Sequence, residues 1–173
     1  MGIWFRAILL SLLALGLSGC VLESKKPLFA DTDAKLLLTN YPNLSYYERN
    51  DDAWEKVNEP VIFTPQAVHY VIKPEPSDPE LQISFVPIDD PWWVLQANEP
   101  GKAASYVLIK AEPKELLVYP LDCKTLQESG RLGNEIEFKD SSCFIKEGTD
   151  TIALFKAVIG SASEPSSKMV SEP

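Results

Sequence analysis

Apolar and polar positions along this chain fall into three regimes. Residues 1–20 read MGIWFRAILLSLLALGLSGC, with Arg6 as the only charged side chain and an unbroken apolar and small run over Ala7–Leu17. From about Leu28 onward the pattern changes to short β-branched and aromatic runs: Ser45–Tyr47, Val61–Thr64, Ala67–Ile72, Leu81–Val86, Trp92–Leu95, Ser105–Ile109 and Leu116–Tyr119. All 14 prolines lie beyond the first regime and punctuate the runs. Proline breaks helices and is confined to strand ends and edges. Leu81-Gln82-Ile83-Ser84-Phe85 alternates apolar and polar, the period of a half-buried strand. In the run Ala67–Ile72, His69 and Val71 share one face, with Val68, Tyr70 and Ile72 on the other. Runs repeating about every 8–12 residues predict an antiparallel meander, closed as a small barrel or folded as a sandwich.

The third regime has longer periods. Cys123–Gly130 predicts a helical segment with Gly130 as its stop. Thr149–Gly160 predicts a second helix in preference to a final strand. Thr149 or Asp150 caps it, Ile152, Phe155, Val158 and Ile159 recur at helical spacing, and Gly160 closes it. Ser161–Pro173 (SASEPSSKMVSEP) is rich in Ser, Pro and Glu and predicts a disordered tail. The predicted fold is therefore mainly β with one or two short helices near the C-terminus. A single β-rich domain spans residues 28–160 and a tail spans 161–173.

The opening run is too short for a bilayer span, which needs about 20 apolar residues, but has the length of a signal-peptide core. It ends in Leu17-Ser18-Gly19-Cys20. These four residues, placed after such a run, resemble the lipobox of bacterial lipoproteins. Beyond these 20 residues the mature domain is only loosely similar to small envelope lipoproteins. The resemblance implies that residues 1–19 are a cleaved signal peptide and that Cys20 is the lipid attachment residue. Its thiol would carry a diacylglycerol and its freed amine a further acyl chain such as palmitate. Two or more chains hold stably where one does not. The resemblance also implies a membrane partner. Val21, in place of an Asp, favours the outer over the inner membrane. Residues 20–27 are then the lipidated cysteine and its tether, which Pro27 ends.

Charge narrows the partners. The chain carries 16 Lys+Arg against 25 Asp+Glu, a net −9, and loss of Arg6 with residues 1–19 makes the mature domain one unit more negative. This opposes nucleic-acid binding and predicts that an acidic globule is held off an anionic bilayer on its tether. Cysteines are three. With Cys20 assigned to lipid, Cys123 and Cys143 remain as an even pair, which an oxidising compartment joins in a disulfide. One histidine excludes multi-His metal sites, and GxGxxG and GxxxxGK[ST] are absent. No metal or cofactor is expected.

The candidate binding residues are aromatic. Tyr46-Tyr47 and Trp92-Trp93 are adjacent pairs, so in a strand one ring of each pair faces the core and the other faces out, where aromatics anchor partners. The acidic pairs Asp31/Asp33, Asp51/Asp52, Asp78/Glu80 and Asp89/Asp90 have the residue type for glycosidase chemistry but sit in turn-like contexts. GxSxG is missing, and His69 lies within a strand-like run. No catalytic residue is assigned. The expected function is non-catalytic binding of an envelope protein or small ligand by a lipid-anchored β domain. The alternatives are a hydrolase using paired carboxylates and an acidic inhibitor of a basic enzyme.

Overall fold

The computed structural model describes residues 22–57, 61–73, 79–130, 132, 134–139, 142–162 and 164–172. Residues 1–19, expected to be a signal peptide, Cys20 and Asp78 lie outside them. Strands are β1 Leu22–Ser24, β2 Leu44–Asn50, β3 Ala53–Lys56, β4 Thr64–Gln66, β5 His69–Ile72, β6 Leu81–Asp89, β7 Trp92–Asn98, β8 Ala104–Ala111, β9 Glu115–Pro120, β10 Ile136–Lys139, β11 Ser142–Ile145 and β12 Ser167–Ser171. Two helices, α1 Cys123–Ser129 and α2 Thr151–Ile159, and a 3-10 turn at Leu37–Asn40 complete the chain.

The expected meander is present. β4 to β9 pair consecutively and antiparallel. The β4–β5 hairpin turns through Ala67, whose φ of 53° is left-handed, and the Val61–Thr64 run contributes only Thr64 to β4. Beyond β9 the order is β12, β2, β3. β12 and β2 share a core with β5, which lies far along the sheet order. Tyr46, Tyr70 and Met169 pack with Phe85 and Ile109 of the central strands, so the sheet curls around them. The terminal strands of the order, β3 and β4, do not pair with each other among the described residues. The curl stays open and sandwich-like, and the barrel alternative is set aside.

The centre of the sheet is buried on both faces. Phe85 and Val86 of β6, on opposite faces, are 0% and 2% exposed. One face carries Val86, Val94, Tyr106 and Leu108 under both helices; the other carries Phe85 and Ile109 with Leu37, Leu38 and Tyr41 of the 3-10 turn region. Burial on both faces turns the central strands into continuous apolar runs, as in Val107-Leu108-Ile109.

Both helices form where caps and stops predict. The Asp122 carboxylate accepts from the Thr125 N–H at 2.9 Å and hydroxyl at 2.8 Å, and Gly130 closes α1 at a φ of 62°. Burial opposes ionisation of Asp122, but the bonds from Thr125 outweigh it and set its carboxyl below the usual range. Asp150 caps α2 by accepting from Ala153 N–H. The buried face of α2 is Leu154, Phe155 and Val158, while Ile152, assigned to the apolar stripe by spacing, is exposed.

Two expectations fail. Ser161–Pro173 is not a disordered tail, because Ser167–Ser171 is inserted between β2 and β9, antiparallel to both. Ser167 and Met169 point in and are buried, and Lys168 points out. The composition signalled disorder, but a two-residue period over five positions suffices once strands stand on both sides. Nor is the expected tether, residues 20–27, free over its described part. Leu22–Ser24 pairs with β8 antiparallel and with β11 parallel, and Leu22 is fully buried.

The edge of β8 is shared. Its first half, Ala104–Tyr106, takes β1, and from Val107 onward it takes β9. The branch β1–β11–β10 is stitched to α1 by the Cys123–Cys143 disulfide, Sγ–Sγ 2.04 Å, closing a 20-residue separation. Mass spectrometry of the protein isolated without reductant is expected to show the two peptides joined. Replacing both cysteines by Ala is expected to lower unfolding stability by about 3 kcal/mol in denaturant titration, the loop-entropy value.

Candidate functional site

The four expected binding aromatics sit in three different settings. Tyr46 and Tyr47 follow the one-in, one-out rule. Tyr46 is in the core beside Met169, and burial pushes its phenol up to about 12. Tyr47 faces out on β2, directly opposite Lys168 of β12 and Lys56 of β3. Trp92 and Trp93 depart from the rule. Both are half-buried, because the sheet is covered on both faces here. Trp92 packs against Tyr119 at 5.0 Å between ring centroids, and Trp93 packs on the opposite core.

The outward face of β3, β2, β12 and β9 therefore carries the most developed surface cluster. Lys168 Nζ lies 4.9 Å from the Trp54 ring centroid and 5.8 Å from that of Tyr47; Lys56 Nζ lies 5.9 Å from Tyr47. Glu115 binds Lys168 at 3.2 Å, and Glu172 binds Lys56 at 2.7 Å. The Tyr47 hydroxyl donates to Glu172 at 3.3 Å. The hydrogen bond to Glu172 raises the Lys56 pKa, and the same bond lowers that of Glu172. Cations over rings contribute about 0.5–1 kcal/mol at exposed sites. The arrangement stitches β12 to its neighbours and leaves two half-buried rings framed by paired charges on the outward face. Trp54, Glu115, Lys168 and Glu172 escaped sequence reasoning. The alternation of Ser167-Lys168-Met169-Val170 was the available signal, masked by flanking Ser, Pro and Glu.

The described members of the acidic pairs lie at turns and strand ends. Asp33 accepts from Ala30 N–H; Asp51, with a φ of 52°, lies in the β2–β3 turn; Asp89 and Asp90 lie at the β6–β7 connection, before cis Pro91. Asp51, Asp52 and Glu164 border a shallow open depression with Arg49, Pro165 and Ser166. There Arg49 bonds Glu164 and lies 3.8 Å from Asp52, so its guanidinium occupies the space between these carboxylates. His69 is half-buried at the start of β5, its Nδ1 4.0 Å from an Asp31 oxygen. Among the described residues, no three His, Cys, Asp or Glu side chains cluster to hold a metal, and no helix is long and apolar enough to cross a membrane.

Comparison with protein-family models, curated proteins and solved structures finds no match to this chain.

Proposed function

We propose that this chain is a lipid-anchored protein of the bacterial cell envelope, outer membrane rather than inner, that acts without catalysis by binding an envelope protein or small ligand through its β domain. The observation that carries the reading is Leu17-Ser18-Gly19-Cys20 at the end of an apolar run of signal-peptide length. The disulfide supports it. Cys123 and Cys143 occupy each other, which leaves Cys20 as the remaining thiol, and the pair suits an oxidising compartment. For the binding role, the face of Tyr47, Trp54 and Lys168 is the assigned contact. It combines half-exposed rings with a cation, the residue types that anchor interfaces.

Cys20→Ser tests the anchor. The variant is expected to take up no labelled fatty acid and to accumulate as uncleaved precursor. Normal processing with retained membrane fractionation would sink the reading.

A further inference from the structure

Among the described residues, β3, β4 and β10 each have one side without a partner strand. β4 is Thr64-Pro65-Gln66, and Pro65 has no N–H to offer a further strand. β3 has its cation, Lys56, taken by Glu172 at 2.7 Å. β10, Ile136-Glu137-Phe138-Lys139, differs from both. It pairs Ile136 with Ile145, Glu137 with Phe144, Phe138 with Cys143 and Lys139 with Ser142 of β11. The Lys146 N–H donates to the Glu135 carbonyl at 2.9 Å, which continues the same register. In an antiparallel ladder, residues that exchange hydrogen bonds with the partner alternate with those that do not. Glu135, Glu137 and Lys139 therefore bond toward β11, and Ile136 and Phe138 turn their N–H and C=O groups to the open side.

The side chains of β10 sort by face. Ile136 and Phe138 share the face of their partners Ile145 and Cys143, which belong to the core under the helices. Ile136 is buried, while Phe138 is 37% exposed. Glu137 and Lys139 are exposed on the opposite face, and among the described residues neither is in an ion pair. We propose that β10 pairs with β10 of a second copy of this chain, antiparallel about a two-fold axis at Phe138, so that one sheet runs through both molecules. The axis needs a residue that bonds outward, which the register supplies in Phe138. It sets Phe138 against the partner's Phe138, covering the exposed ring, and Glu137 against the partner's Lys139. The two-fold makes that charge pair twice. Opposite charges directly across a ladder stabilise it and like charges destabilise it. Centring the axis on Ile136, the other outward-bonding residue, sets Glu137 against the partner's Glu135, like against like. The charges of Glu137 and Lys139 also cancel, so this edge is locally neutral on a chain of net −9. The contact is separate from the Tyr47 face and does not depend on the lipid anchor.

Cross-linking of the full chain reads the register directly. Glu137→Cys and Lys139→Cys are made as separate proteins, each thiol on the face away from Cys143. In the proposed ladder, position 137 of one copy and 139 of the other form a non-hydrogen-bonded pair with Cα atoms about 4.5 Å apart, within the span of a disulfide. Two copies of one variant hold their thiols on a diagonal, about 7–8 Å apart, beyond that span. Under mild oxidation the mixture is expected to cross-link several-fold more than either variant alone, with peptide mapping to assign the link and exclude Cys20. Sedimentation equilibrium in mild detergent gives the second readout. Four residues a side make a small contact, so the dimer is expected at micromolar Kd. Glu137→Lys sets Lys against Lys at both pairs and should weaken association about tenfold. The double variant Glu137→Lys/Lys139→Glu should restore it, which a mere loss of folding would not allow. Equal cross-linking from one variant and from the mixture, or a double variant as weak as the single one, overturns the proposal. So does a chain that stays monomeric up to about 100 µM, which would leave this edge to a strand of another protein.

Discussion

A chain ending at Ser166 is expected not to fold. Its product should accumulate poorly, show no cooperative thermal transition and be degraded rapidly by protease. The missing segment, Ser167–Ser171, pairs with Glu48–Leu44 on one side and Val118–Glu115 on the other. Removing it separates β2 and β3 from the rest of the sheet and opens the core around Met169, 4% exposed, to water. Domains of this size are stable by only about 5–15 kcal/mol, and loss of an interior strand exceeds such a margin. Met169→Ala gives a graded version, with an expected cost of about 2–5 kcal/mol in denaturant unfolding. A truncated chain that melts like the full one would show that β12 is dispensable.

Phe155→Ala is expected to cost about 3–5 kcal/mol, the range for a fully buried aromatic. Phe155 is 0% exposed and touches two rings of different origin, Phe29 at 5.7 Å and Tyr106 at 5.6 Å between centroids. It therefore holds α2, the N-terminal segment and β8 together. Ile152→Ala, one turn earlier on the same helix, should change stability by less than about 0.5 kcal/mol because its side chain is exposed. Chemical denaturation of the two variants measures the difference. Equal losses would show that α2 presents a different face from the one described.

The elements that could be read from the sequence are those whose burial repeats locally. β5 to β9 each carry their own apolar run, and α1 and α2 have capping Asp residues and closing Gly residues within a few positions. The unread strands are short and take their burial from partners distant in sequence. Leu22-Glu23-Ser24 has one apolar side chain and is a strand because β8 and β11 flank it. Ser167–Ser171 is polar at three of five positions and is a strand because β2 and β9 do the same. The candidate surface was half legible for the same reason. Tyr47 stands out as part of a Tyr-Tyr pair, whereas Lys168 and Glu115 acquire meaning only when the register sets them beside it. Trp92 and Trp93 misled because alternation assigns faces without saying how many faces are covered.

The place of β12 also governs when the fold can be reached. Its partner residues on β2 lie most of the chain's length earlier, and those on β9 lie well before it. A chain made from its N-terminus has β2 and β9 in hand long before the strand that joins them. Until Ser171 is available, both carry open backbone edges, the feature that recruits foreign strands. Closing so long a loop is entropically slow. The sheet is therefore completed only once Ser167–Ser171 is in place, and until then β2 and β9 each keep an edge that another strand could take.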